Sequence, residues 1–350
     1  MPAYHEAIGC FHVHFSLSGG RHALQYLGQE ASRAKLDFLV TSSHTPRHQR
    51  EKKEALFKES GWYGQTLILV GEEIDDNFHK DSHCLVIGLN HWAGRKLPFP
   101  ETIQQVKKEG GLVFIAHPDG QHRLFFRKAD HRWKRFDITE YDGIEVWSLL
   151  FDWACFTSPF NLPARYLGFP ANLTGPSRET LSFWDRRAEE RPAVGLAGLD
   201  IHPLSWPALD VGRRFRYRNV FQVLRNHLLL PEPLTGNVET DRCLVLKTLS
   251  SGRLFFARDK LKDSRGFFFG SEDGKILPGD NAALGTRVIA ISPFPAYLRL
   301  VGNGKILREK QGIELKCCLD KPGAYRIEVF LNNQHWIFSN HLYVREGRKC

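Results

Sequence analysis

Residues 9–22 read GCFHVHFSLSGGRH, an apolar run that ends in two histidines one residue apart and passes into a loop of small residues. In a β-strand residues i and i+2 share a face, so His12 and His14 would present both imidazoles to one side, close enough to bind one ion. An HxH pair alone is weak evidence in a chain with 16 histidines. The reading depends on what the rest of the chain places at comparable positions.

Outward from that stretch, apolar runs rich in β-formers alternate with polar, helix-like segments up to about residue 202. The strand candidates are AIGCFHVH, LDFLVTSSH, TLILVGEEI, GLVFIAHP, GIEVWS and AVGLAGLDIH. HALQYLGQEASRAK, RHQREKKEALFKES, ETIQQVKKEG and RETLSFWDRRAEER read as the helices between them. This alternation predicts an α/β domain with parallel strands. SHCLVIGL, residues 82–89, is expected to pair with the strand before it, and two more helices are expected at 216–230 and 239–250. After Gly252 short strand-like runs divided by turn signals predict an all-β sandwich, with Asn303-Gly304 as a hairpin turn. The expected division is 1–255 and 266–346, with a charged, Gly-punctuated junction at about 256–280.

With 350 residues and 42% apolar content the chain can bury a large core, and no apolar stretch reaches the roughly 20 residues that cross a bilayer. The N-terminal residues lack the pattern of a signal peptide, so the cytoplasm is the expected location and no membrane partner is expected. Seven scattered cysteines without a CxxC pair suit reduced thiols better than a disulfide framework. The net charge of +9 favours anionic partners. Its densest source is HRLFFRKADHRWKRF, residues 122–136, which contains one acid, Asp130. That stretch is either a solvated excursion anchored by its aromatics or a grip for nucleic acid.

In barrels of alternating strands and helices, functional residues gather at the C-terminal ends of parallel strands. There the sequence places His12, His14, His44, Glu73, His117, Asp200 and His202, and His83 opens the strand paired with the third run. Imidazole and carboxylate suit divalent zinc, manganese or iron, and a carboxylate such as Glu73 can bridge two ions. Two ions about 3.5–4 Å apart can hold a bridging hydroxide that attacks phosphorus or a carbonyl, so no protein nucleophile is needed. Glu73 and Asp200 would hold that hydroxide in place through the ions.

In order, HVHFSLSGG, DFLVTSSH, GEEI with SHCLVIG, FIAHP, GIEVWS and GLDIH resemble the motifs of the PHP (polymerase and histidinol phosphatase) superfamily, over about residues 8–205. The resemblance implies a distorted seven-stranded (β/α) barrel, two or three divalent ions per chain and metal-dependent hydrolysis, usually of phosphate esters. It implies that His12, His14, Glu73 and Asp200 hold the first ion and Glu73, His83 and His117 the second, with His44 and His202 belonging to a third. The C-terminal sandwich, closing with WIFSN at 336–340, is similar to the carbaryl-hydrolase-like branch, which adds carbamate and carboxylic esters to the candidate substrates. The chain departs from the family pattern at Ser18-Gly19-Gly20, where Ser-Asp-Gly is usual, and at Ser43, where an Asp usually precedes the His. The third ion therefore lacks an expected acid, and His22 is a candidate substitute.

Arg21, Arg47 and Arg123 follow ligand candidates closely and are expected to contact a small anionic or ester substrate. Glu145 in IEVWS is expected to orient a ligating imidazole. Two other readings stay open: a metal-dependent nuclease that uses the 122–136 stretch, and a non-catalytic metal or ligand sensor. A homo-oligomer is an open alternative to a monomer.

Overall fold

The computed structural model describes residues 4–44, 50–76, 81–93, 97–122, 129–202 and 215–345. The first part of the chain forms strands β1 (His5–Val13), β2 (Phe38–Thr41), β3 (Gly61–Tyr63), β4 (Thr66–Val70), β5 (Glu72–Ile74), β6 (Cys84–Ile87) and β7 (Leu112–Ile115). The short pair β8 (Gln121–His122) and β9 (Ala129–Asp130) follows, then β10 (Gly143–Ser148), β11 (Val194–Ile201), β12 (Arg225–Leu230) and β13 (Leu254–Ala257). Helices α1 (Gly20–Arg33), α2 (Arg50–Phe57), α3 (Phe99–Lys108), α4 (Leu149–Ala154), α5 (Leu162–Gly168), α6 (Arg178–Glu190), α7 (Tyr217–Val220) and α8 (Val238–Ser251) lie between them.

The result is a mixed α/β fold around a large sheet. Parallel pairings join β1 to β2, β2 to β4, β7 to β10, β10 to β11 and β11 to β1. Between β4 and β7 the ladder is antiparallel, through β5 to β6 and β6 to β7. The expected third strand is thus one segment bent at Gly71, whose first half pairs with β2 and whose second half pairs with β6. A Cβ at Gly71 would lie 2.7 Å from the Val86 carbonyl oxygen and 2.8 Å from that of Thr41, so the bend admits only glycine without displacing a neighbour.

Both faces of these strands are apolar, and alternation sorts them. Ile8, Cys10, Leu39, Ile68, Val113, Ile144 and Leu199 pack with Leu24, Leu27, Ile103, Val106 and Trp184 from the helices. Their neighbours Phe11, Phe38, Leu67, Leu85, Phe114 and Leu196 form a second cluster, joined by Val245 and Leu249 of α8. Burial on both sides explains why the strands read as continuous apolar runs.

The helix expected at 216–230 is a correction: only Tyr217–Val220 is helical, and Arg225–Leu230 is a strand antiparallel to β1. A short apolar run such as Leu228–Leu230 has no periodicity that separates helix from strand, and pairing with β1 decides it. The expected 239–250 helix is α8.

The C-terminal part contains β14 (Phe268–Ser271), β15 (Asn281–Ala282), β16 (Thr286–Gly302), β17 (Lys305–Leu319), β18 (Gly323–Leu331), β19 (Gln334–Ser339) and β20 (Leu342–Val344). It has its own apolar cluster, centred on Leu298, Leu300, Ile327, Val329 and Trp336. Asn303 and Gly304, at φ 48° and 69°, turn β16 into β17 as expected. The sheet is continuous between the two parts, through β1–β12, β12–β13 and β13–β19. A buried ion pair adds to the seam: Arg326 of β18 donates to both carboxylate oxygens of Asp185 in α6, at 2.7 and 2.8 Å.

A second buried cluster ties β1 to the junction. His227 lies 2.6 Å from Glu6 and 3.2 Å from Asp259, and its Nε2 is 3.1 Å from the Ser264 hydroxyl. Burial lowers the imidazole pKa, but Asp259 and Glu6 outweigh it and hold His227 at about 9. The stabilisation is therefore full below the ordinary value of 6.5 and lost as pH rises through about 9. Its scale is about 3 kcal/mol. Urea unfolding from pH 6 to 9.5 should show stability falling across that window, and His227→Gln should flatten the slope. An unchanged slope in the variant would contradict this role.

Candidate metal centre

The eight ligand candidates arrive at one place from the ends of several strands, with His12 and His14 sharing the end of β1 and Asp200 and His202 the end of β11. His12, His14, Glu73, His83, His117 and Asp200 are buried, whereas His44 and His202 are partly exposed. Among the described residues, three donor sets have ligand atoms within 4.8 Å of one another: His12, His14, Glu73 and Asp200; His44, Glu73 and His83; and His14, His44 and His202.

Glu73 organises the cluster, because its two carboxylate oxygens face different histidines. Oε2 is 3.2 Å from His12 Nε2, 3.2 Å from His14 Nε2 and 3.1 Å from His44 Nε2. Oε1 is 2.6 Å from His83 Nδ1 and 3.1 Å from His117 Nε2. Asp200 Oδ1 joins the first side, 3.4 Å from His12 and 3.2 Å from His14. His202 stacks on His14 with ring centroids 3.9 Å apart.

Two details fit this set to divalent cations. The Nε2 atoms of His12 and His14 are buried and in no hydrogen bond, although carboxylate oxygens lie close to both. Buried polar atoms are ordinarily partnered, so two imidazole nitrogens that converge on two acids have the character of metal ligands. On the other side of the His12 ring, Nδ1 lies 3.0 and 3.1 Å from the Glu145 carboxylate oxygens, which fixes its orientation and leaves Nε2 for the centre. Glu145 also accepts the backbone N–H of His117 at 2.8 Å.

Electrostatics follow the same geometry. Burial opposes charge on Glu73, yet the surrounding histidines hold its carboxyl well below the usual carboxylate range. Burial disfavours charge on His12 as well, but Glu145, Asp200 and Glu73 hold its pKa well above the ordinary value. His44 is pushed down to about 4, chiefly by burial.

The backbone is strained at three of the ligand candidates. His12, His117 and Asp200 have φ of 61°, 28° and 50°, a region that non-glycine residues rarely adopt. His12 also lies in a bulge, since the β1 registers with β2 and β11 both shift across it. Its ring sits 5.1 Å from that of His14. That approach is therefore made at a bulge, and the regular alternation of a strand is not its origin.

Of the other expected residues, the structure describes Arg21, His22 and Ser43. Arg21 is exposed and lies 3.4 Å from Glu59, in a surface groove with Trp62 and Tyr63 that shares no residue with the ligand cluster. Arg47 and Arg123 lie outside the described residues. His22 is exposed, and its ring hydrogen-bonds Gln25, away from the ligand sets. Ser43 anchors the neighbouring loop, accepting from the Phe15 N–H and donating to the Phe15 carbonyl. Of the basic stretch, Arg132 pairs with Asp130, Lys134 with Asp81, and Arg135 with Asp76 and Asp137. Two of these acids, Asp76 and Asp81, lie far from the stretch in sequence, and Arg123, Arg127 and Lys128 fall outside the described residues.

No family profile matches the sequence. A methionine–tRNA ligase of Nanoarchaeum equitans is 26% identical over 152 residues, 42% of this chain, and the match spans only 17% of that protein. Among solved structures, the chain is similar to a two-domain protein from Bacteroides vulgatus described as containing a predicted PHP-like metal-dependent phosphoesterase. The TM-score is 0.49 and the identity 14%, over 97% of this chain and 96% of that one. It is also similar to a candidate metal-dependent phosphoesterase from Bifidobacterium adolescentis, with a TM-score of 0.34 and 15% identity over 57% of this chain and 89% of that one. These likenesses assign no activity, and the functional reading rests on the donor cluster itself.

Proposed function

We propose that the protein is a PHP-type metal-dependent hydrolase of the carbaryl-hydrolase-like branch, acting in the cytoplasm on phosphoesters, with carbamates or carboxylic esters as the nearest alternative. The carrying observation is the division of the Glu73 oxygens between two sets of histidines beside Asp200. In this reading the strand circuit from β1 through β4/β5 back to β11 is the distorted seven-stranded barrel. The part after about residue 266 is the sandwich domain.

His12, His14, Glu73 and Asp200 would hold the first ion, and Glu73, His83 and His117 the second. His44 and His202, with His14, would form a third position built of imidazole alone. Divalent zinc, manganese or iron bound there supplies Lewis acidity and lowers the pKa of water. The chain contributes position: Glu73 would serve both ions through its two oxygens, and Glu145 orients His12. No serine or cysteine nucleophile is needed.

The test is turnover of an aryl phosphate, an aryl carbamate and an aryl acetate by the metal-loaded protein, with and without chelator. Chelator-sensitive hydrolysis of the phosphate as the fastest reaction is expected. Preference for the carbamate or acetate would move the reading to the alternative, and no turnover at full metal loading would favour a sensor.

A further inference from the structure

Beside the ligands stands a histidine that strand-end placement did not single out. The ring of His131 is 5.0 Å from that of His83 and 6.1 Å from that of His117, with Phe151 at 6.0 Å behind it. His83 and His117 are buried, whereas His131 keeps part of its surface open. Its ring thus lies beside those of two ligands proposed for the second position.

The segment carrying it is stitched to both ligand-bearing turns. The His131 N–H donates to Gly120 O and the Trp133 N–H to Pro118 O, both at 2.8 Å, just after His117. The Lys134 N–H donates to the Ser82 hydroxyl at 2.9 Å, and its ammonium meets Asp81 at 2.8 Å, just before His83. Arg135 closes the strap on Asp76 at 2.6 Å. The backbone that carries the ring is thus fixed beside an ion position, which preorganises the segment for a bound group.

We propose that His131 is a substrate-contact residue, whose imidazole N–H meets a non-bridging oxygen of a phosphoryl group bound on the His83/His117 side of the centre. The proposal rests on the hydrolase reading above and names the substrate class for that side: a tetrahedral oxyanion.

The experiment is calorimetric binding of inorganic phosphate to the metal-loaded wild type, His131→Ala and His131→Gln, with metal content and melting temperature measured on each. His131→Ala should weaken phosphate about tenfold or more, the loss expected for one hydrogen bond to a charged group. Metal content should stay at the wild-type value, and KM for an aryl phosphate should rise more than kcat falls. His131→Gln, which keeps an N–H donor, should recover most of the affinity. Unchanged phosphate affinity in His131→Ala overturns this proposal alone, and so does loss of an ion, which would make His131 a ligand. A wild type that holds metal but neither binds nor releases phosphate overturns the phosphoester reading together with it.

Discussion

Glu73→Gln is expected to strip the protein of most of its bound metal and to lower turnover by about 10²–10³-fold or more, the range seen when one electrostatic stabiliser is removed from an active site. No other side chain in the cluster presents one oxygen to His12, His14 and His44 and the other to His83 and His117. A neutral amide keeps the shape and removes the charge that both positions share. Fold should survive, because the strands around it are held by apolar clusters on both faces. Full metal content in this variant would remove Glu73 from its bridging role.

The second large effect comes from a residue that touches no ligand atom of the centre. A Cβ on Gly198 of β11 would sit 1.9 Å from Glu145 Oε1 and 2.9 Å from His12 Cβ. Glu145 cannot swing aside freely, since it is bonded to the His12 ring and to the His117 N–H. Gly198→Ala should therefore displace the carboxylate that orients His12. Metal affinity should fall by about 10–100-fold, as for other partners that orient metal ligands, and stability by about 1–3 kcal/mol from overpacking. Chelator competition measures the first and denaturant unfolding the second. Glu145→Gln, which avoids the clash, should weaken metal while sparing most of the stability. Wild-type affinity in Gly198→Ala would contradict the orienting role of Glu145.

The ligand candidates were legible because they punctuate strands. HVH, SSH, GEE, AHP and GLDIH each end an apolar run, and parallel strands carry such ends to one side. Glu145 was legible for the same reason. The bend at Gly71 and the identity of β12 were not, because each depends on which strand lies alongside. Nothing local in Arg225–Leu230 shows that β1 takes a third neighbour beside β2 and β11. The positive φ at His12, His117 and Asp200 leaves no mark in side-chain pattern, since none is glycine. Gly198 reads as one more small strand residue until Glu145 is seen against it. His131 escaped because it sits in a charged loop, and only the folded chain brings that loop onto His83. The partners of Lys134 and Arg135 were hidden for a complementary reason, because Asp76, Asp81 and Asp137 lie outside residues 122–136.

The central claim is that Glu73 and the histidines around it form a multinuclear metal centre. Elemental analysis of protein purified without chelator or metal-affinity tag, beside its Glu73→Gln variant, tests it most directly. At least two equivalents of zinc, manganese or iron per chain in the wild type, lost in large part from the variant, is the result this account predicts. A folded wild type that remains metal-free after reconstitution with each of those ions would contradict it.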